Sequence, residues 1–98
     1  MDIFNTSDGF KKIYIYDYPF LLAKKEARKR YPVLTPLNET ADRIWTGVSQ
    51  KKSLYEIASE ISTEYNIDSD NAYDDVQMFC NAMEKKGYLY RMNDGESK

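Results

Sequence analysis

Three acidic or sulfur-bearing side chains are the first candidates for chemistry in this sequence: the thiol of Cys80 and the adjacent carboxylates Asp74 and Asp75. A thiol reacts as the thiolate, and no basic neighbour along the sequence favours that form at Cys80. Adjacent residues of a helix point about 100° apart, so the two carboxylates do not converge on one site. We interpret Cys80 as a buried apolar residue, and the aspartates as the solvated first turn of a helix or as contacts for a bound peptide.

The chain contains no histidine and one cysteine. This composition excludes nucleophiles that are activated by histidine, and it excludes metal sites built from histidine or from several thiolates. The four glycines are scattered and form no phosphate-binding loop. The sequence therefore predicts a protein that is not an enzyme and that takes no cofactor.

Length and composition predict one domain, residues 1–98, with an ordinary apolar fraction of 42%. A single cysteine allows no intrachain disulfide, which fits a reducing compartment. The first residues lack the pattern of a signal peptide, and no apolar run is long enough to cross a membrane. We expect a soluble cytoplasmic protein without a membrane partner, in which residues 1–10 and 93–98 are flexible.

Charge is distributed unevenly along the chain. Up to Lys52 there are ten basic and six acidic residues, whereas four basic residues face ten acidic ones from Ser53 onward. Lys24, Lys25 and the run 28–30 form a basic cluster, which is either a solvated hairpin tip, a contact for an acidic peptide or a nucleic-acid contact. The acidic residues of the third predicted helix would repel phosphates, so we expect no nucleic-acid partner.

Residues 11–37 predict a β-sheet. Segments 11–16, 20–25 and 31–37 are rich in β-branched and aromatic residues and are joined by short connections, which favours an antiparallel meander. Pro32 and Pro36 are four residues apart, so both missing N–H groups lie on the same side of the third strand. Proline is tolerated on a side that pairs with no other strand, and the third segment is therefore predicted to be an edge strand.

Residues 38–90 predict a helical bundle. The first helix runs from Asn38, its N-cap, to about residue 48, with Gly47 near its end. The sequence of residues 53–56 is a capping box that opens a second helix to about residue 65. The third helix begins at Ser69 or Asp70 and ends at residue 86, before Gly87.

The apolar stripe of the third helix is wider than one core contact needs. Val76, Cys80 and Met83 form its centre, while Met78, Phe79 and Ala82 lie to one side. Two interpretations remain open: a broad contact with the core, or a partner groove beside the edge strand. The second arrangement is typical of proteins that bind a peptide by β-strand addition.

Five short motifs, in this order and spacing, resemble the PqqD family, the leader-peptide-binding domains called RiPP recognition elements of ribosomal peptide natural-product biosynthesis. The resemblance covers about residues 31–89. The motifs are Leu37–Ala41 with Ile44 and Trp45, Ser53–Ala58, Glu64–Asp68, Asp75 and Val76 with Phe79, and Gly87–Leu89.

The resemblance implies an α+β, winged-helix-like fold, in which a three-stranded antiparallel sheet packs on a three-helix bundle. It also implies a non-catalytic adaptor that binds the leader region of a precursor peptide as an added strand and presents the peptide to a modifying enzyme. That enzyme is a radical SAM enzyme, a cyclodehydratase or a leader peptidase. By position, the implied strand contacts are Tyr31, Val33, Leu34 and Thr35, and the implied helix contacts are Asp75, Met78, Phe79 and Ala82.

Two other functions stay open at this point. A winged-helix DNA-binding regulator would use the basic cluster at residues 24–30. An accessory subunit without peptide binding would dimerise through its open edge strand, and the chain is accordingly expected to be a monomer or a homodimer. The side to which Pro32 and Pro36 point decides how many N–H groups the edge strand offers.

Overall fold

The computed structural model describes residues 3–92 and contains five strands, three α-helices and one 3₁₀ helix. The strands are β1 (Ile3–Thr6), β2 (Phe10–Ile15), β3 (Tyr18–Ala23), β4 (Leu34–Pro36) and β5 (Leu89–Met92). The helices are α1 (Glu39–Ser49), α2 (Leu54–Tyr65) and α3 (Ser69–Lys86), with the 3₁₀ helix at Lys25–Lys29.

Strands β2, β3 and β4 form the predicted antiparallel meander, with β4 at one edge. The third strand is shorter than the predicted segment 31–37, and the expected hairpin tip is a 3₁₀ helix. The reason is local, because the carbonyl of Ala27 accepts hydrogen bonds from the N–H groups of Arg30 and Tyr31. The backbone up to Tyr31 therefore belongs to this turn and cannot pair as a strand.

Residues 3–6 fall within the segment that was expected to be flexible, and they form a strand. Strand β1 pairs antiparallel with β5 in a second, two-stranded sheet, and the side chain of Phe4 is fully buried. The polar residues around Phe4 favoured a loop, but pairing with a strand more than 80 residues away overrides that local signal. Residues 1–2 and 93–98 lie outside the described residues, so the expected flexibility of 93–98 stays a prediction.

The helices begin and end close to the predicted residues. The side chain of Asn38 accepts a hydrogen bond from the N–H of Ala41 over 2.7 Å, and Ser53 forms the predicted capping box with Glu56. Helix α3 is capped by Asp68, whose carboxylate accepts from two N–H groups of the first turn, so the predicted cap at Ser69 or Asp70 is wrong by one or two residues.

Gly47 does not end α1, which continues to Ser49. A Cβ atom at residue 47 would lie 2.7 Å from Cγ1 of Ile57, so glycine is required there because α1 and α2 approach closely. The core lies between the three helices and the inner face of the β2–β3–β4 sheet, with Leu21, Ile44 and Val76 almost fully buried. In the described part of the chain, no helix is long and apolar enough to cross a membrane.

Candidate functional site: the groove between β4 and α3

A groove of about 490 Å³ runs between β4, the start of α1 and the exposed side of α3. We call it the β4–α3 groove. Its walls include Thr35, Leu37, Ile44, Asp75, Phe79 and Met83. A neighbouring depression lined by Tyr31 and Tyr88 shares Thr35, Met83 and Lys86 with it, so the two form one continuous channel along the strand. The channel has an apolar floor and polar ends.

The stripe of α3 that faces the groove follows helical spacing. Asp75, Phe79, Met83 and Lys86 are separated by four, four and three residues, which places them on one side of the helix. Asp75 and Lys86 stand near opposite ends, roughly 16 Å apart along the helix axis. Among the described residues neither side chain forms an ion pair, so both charges are available to a bound molecule.

Backbone hydrogen bonds establish which side of β4 pairs with β3. The N–H of Ala23 donates to the carbonyl oxygen of Val33 over 2.8 Å. The N–H of Leu37 donates to the carbonyl oxygen of Pro19 over 3.0 Å. Because backbone groups alternate along a strand, Val33, Thr35 and Leu37 direct their N–H and C=O groups toward β3.

The intervening strand residues Leu34 and Pro36 therefore direct their backbone groups to the free edge of β4. Within β4, that edge offers two carbonyl acceptors and a single N–H donor, the one of Leu34, because proline has none. Pro36 thus points its backbone to the side on which a further strand would dock, whereas Pro32 precedes the strand. No other strand in the described part of the chain pairs with this edge.

An aromatic cluster closes one end of the channel and fixes its width. The ring of Tyr31 lies 4.9 Å from that of Phe10 and 5.1 Å from that of Tyr88. The hydroxyl of Tyr31 donates a hydrogen bond to the carbonyl oxygen of Lys86 over 2.6 Å, and the hydroxyls of Thr35 and Tyr88 lie 3.3 Å apart. These contacts hold the segment of β4 against the C-terminal end of α3.

The structure brings together only part of the set implied by the family resemblance. Tyr31, Thr35, Asp75 and Phe79 line the channel. Leu34 contributes through its backbone. Val33 and Ala82 are exposed beside the channel. Met78 is exposed and does not line the channel.

Sequence reasoning missed several residues that line the groove, including Leu37, Ile44 and Lys86. Sequence patterns place Leu37 before the helix cap and Ile44 in the core, and neither position by itself indicates a groove. Lys86 is the last residue of α3 and is typical of a helix end. The four-, four- and three-residue spacing from Asp75 to Lys86 is the signal that identifies it.

Of the three candidates for chemistry, only Asp75 lines the groove. Cys80 is fully buried in the core, and burial raises the pKa of its thiol to about 12, so the interpretation as an apolar residue is confirmed. Asp74 is exposed, whereas Asp75 lines the groove, so the two carboxylates do diverge. The described residues contain no cluster of three or more His, Cys, Asp or Glu that could hold a metal ion.

The structure is a three-stranded sheet on a three-helix bundle, with an open strand edge beside a helix. This arrangement defines a RiPP recognition element of the winged-helix-like type. The predicted fold class is therefore confirmed, and the two-stranded sheet is an addition to it. The family model described as Coenzyme PQQ synthesis protein D (PqqD) matches residues 31–89. The chain belongs to the PqqD family.

Two solved structures are similar over nearly the whole chain. The structure "TbiB1 in Complex with the TbiA(beta) Leader Peptide" has a TM-score of 0.74 and 26% sequence identity, and the match covers 92% of this chain and 99% of that one. The structure "Lasso peptide synthetase B1 complexed with the leader peptide" has a TM-score of 0.74 and 17% identity, covering 88% and 95%. A search among curated proteins gave no match.

Proposed function

We propose that the chain is a non-catalytic adaptor that captures the leader region of a ribosomally synthesised precursor peptide. The leader adds as a strand to the free edge of β4 and places side chains in the β4–α3 groove. The observation that carries the proposal is the position of that unpaired edge directly beside an apolar groove. The 26% identical structure, TbiB1 in complex with a leader peptide, supports it.

The donors and acceptors of the edge determine how the leader binds. The carbonyl groups of Leu34 and Pro36 accept hydrogen bonds and only Leu34 donates one, so a docked strand finds few partners for its own carbonyl groups. A backbone hydrogen bond contributes about 0.5–1.5 kcal/mol. The side chains of the leader therefore supply more of the affinity than in a strand addition with a complete ladder.

The groove supplies the pockets for those side chains. Phe79 and Met83 form an apolar floor, with Asp75 at one end and Lys86 at the other. We propose that these residues contact the leader together with Thr35. Tyr31 shapes the channel by holding β4 to α3. Exposed residues at its border, Val33 and Ala82, contact the flanks of the bound peptide.

The adaptor presents the rest of the precursor to a peptide-modifying or peptide-processing enzyme in the cytoplasm. The enzyme is a radical SAM enzyme, a cyclodehydratase or a leader peptidase. In this role the chain supplies binding energy and orientation, while the enzyme supplies the chemistry.

Titration of a fluorescent leader peptide tests the proposal. The probe is the leader of the precursor encoded beside this chain's gene, and the control is a scrambled peptide of the same composition. We expect a Kd that is micromolar or lower, corresponding to about −8 kcal/mol, in fluorescence anisotropy. Equal binding of both peptides, or no binding at high micromolar concentration, contradicts the proposal.

A further inference from the structure

The outer face of the β2–β3–β4 sheet, which points away from the helices, is apolar. Phe10, Leu21 and Ala23 point inward and are buried, so the residues that alternate with them point outward. We call this surface the outer face. Its apolar members are Ile13, Ile15, Tyr18, Phe20, Leu22 and Leu34.

Within the described residues, none of these six side chains belongs to the core or packs against it. Tyr18 is 69% exposed and Leu34 38% exposed. An antiparallel sheet with one solvated face normally carries polar residues there, so a continuous apolar surface on that side marks a contact with another molecule.

The hairpin turn at the end of this face has an unusual conformation. Tyr16 and Asp17 connect β2 and β3 with positive φ angles of 49° and 69°. Such two-residue turns favour Asn and Gly, and a tyrosine in the left-handed region is strained. The turn holds the side chain of Tyr16 at 91% exposure, next to Ile15 and Tyr18. Exposed tyrosines of this kind are enriched where proteins bind proteins.

The opposite end of the outer face is basic. Residues 8–30 contain seven basic and three acidic residues, whereas the whole chain has a net charge of −2. One of the seven, Lys12, points inward and pairs with Asp42, so six basic residues remain. Lys11 points outward beside Leu22, and Lys24 and Lys25 directly follow β3. Two copies of the chain packed face to face with their strands parallel would bring two regions of net positive charge together. Charge complementarity therefore favours a partner with an acidic rim over a second copy in that arrangement.

Strand β4 connects this surface to the peptide site. Leu34 and Pro36 point their side chains to the outer face and their backbone groups to the free edge, where the leader is proposed to dock. We infer that the outer face binds the enzyme that receives the peptide, through an apolar enzyme surface with an acidic rim. This inference rests on the proposed function, and it places the enzyme alongside the bound leader.

The test measures enzyme binding and leader binding separately. The probe is the purified enzyme encoded beside this chain's gene, bound to the full chain in biolayer interferometry. Tyr18→Asp is compared with Tyr55→Asp on α2, because Tyr55 is exposed to nearly the same extent, 71%. We expect Tyr18→Asp to weaken enzyme binding at least about tenfold and Tyr55→Asp to leave it unchanged.

Leader affinity and circular dichroism are expected to stay unchanged in Tyr18→Asp. Ile15→Asp gives a second, independent variant with the same expectation. A charge reversal, Lys24→Glu with Lys25→Glu, is expected to slow association with the enzyme and to reduce its dependence on salt.

Three results would overturn the inference while leaving the leader proposal standing. The first is enzyme binding that neither Tyr18→Asp nor Ile15→Asp weakens. The second is a wild-type chain that binds the leader but not the enzyme. The third is a dimer in light scattering that Ile15→Asp converts to a monomer, since a second copy would then occupy the outer face.

Discussion

Two grooves flank α1, and they differ in whether their charged and hydrogen-bonding groups have partners among the described residues. The groove between β2, α1 and α2 is the larger, about 580 Å³ against about 490 Å³ for the β4–α3 groove. Most of its charges are already matched, because Lys12 pairs with Asp42, Arg43 with Glu64, and Lys52 with Glu60.

The β4–α3 groove has the opposite character. Its floor is apolar, and its two charged residues have no ion-pair partner among the described residues. One of its walls is a strand whose backbone acceptors are unpaired. The unpaired backbone groups and the open apolar surface are the features that favour the smaller groove as the proposed leader site, although its volume is not the greater one.

The largest expected effect concerns the contact that sets the width of the β4–α3 groove. Gly87 has a φ of +93°, and a Cβ atom there would lie 2.4 Å from the hydroxyl oxygen of Tyr31. Gly87→Ala destabilises the fold in two ways: it holds an alanine in the left-handed backbone conformation, and it displaces the side chain of Tyr31. We expect the free energy of unfolding, measured in urea, to fall by about 3 kcal/mol.

A double variant separates the two costs of Gly87→Ala. Tyr31→Phe removes the hydroxyl, and the remaining ring atom lies 3.6 Å from the added Cβ atom, an ordinary contact. The alanine should therefore cost less in the Tyr31→Phe background than in the wild type. Equal costs in both backgrounds would show that Tyr31 does not hold the groove wall against α3.

The next effect concerns the groove floor. Phe79→Ala removes a half-buried ring from the β4–α3 groove, and we expect leader binding to weaken by about 2 kcal/mol in anisotropy, as for a central aromatic contact. Met78→Ala is the matched control, because Met78 is adjacent in sequence, 69% exposed and does not line the groove. A larger loss for Met78→Ala than for Phe79→Ala would place the leader on the other side of α3.

The architecture follows from local sequence signals wherever those signals are strong. The cap at Asn38, the capping box at Ser53 and the αL glycine at residue 87 predict the helix limits within one or two residues. Strand β1 escapes prediction because its one buried side chain, Phe4, is surrounded by polar residues. Its partner strand β5 is distant in sequence, and single-sequence patterns carry no information about such pairing.

The position of the β4–α3 groove can be predicted from the sequence, but only some of the residues that line it can. The paired prolines identify an edge strand, and the wide stripe of α3 indicates a second contact surface. That stripe does not show how α3 is rotated about its own axis. Met78 and Phe79 are adjacent and both apolar, so either could face the groove. Only the packing of Val76 and Cys80 into the core shows which of the two faces the groove.

A smaller effect concerns the single donor on the free edge of β4. Replacing the amide of Leu34 with an ester by chemical ligation removes that N–H and keeps the side chain. We expect leader binding to weaken by about 1 kcal/mol, the value of one backbone hydrogen bond. An unchanged Kd would mean that the leader does not pair with this edge and that the groove side chains hold it alone.

Variants of the larger groove provide the contrast for the leader measurements. Arg43→Gln breaks an ion pair with Glu64 that is about half exposed. Exposed pairs contribute little to stability, and this one lies outside the β4–α3 groove. We expect unchanged leader binding in anisotropy, and a loss as large as that of Phe79→Ala would move the peptide site to the groove between α1 and α2.

The smallest expected effect is a pH dependence of stability at Lys12. Burial lowers the pKa of its ammonium group, but hydrogen bonds and charge attraction from Asp42 and Tyr14 outweigh burial and raise the pKa above 10.5. The folded state holds the proton of Lys12 more tightly than the unfolded state does. The stabilisation that results is complete below the pKa of the unfolded state, and it is lost as pH rises through the pKa of the folded state.

Urea unfolding of the wild type and of Asp42→Asn at pH 8 and pH 11 measures this stabilisation. We expect a stability difference below about 1 kcal/mol at pH 8 that shrinks at pH 11. A difference that grows with pH would show that the carboxylate does not hold the proton on Lys12.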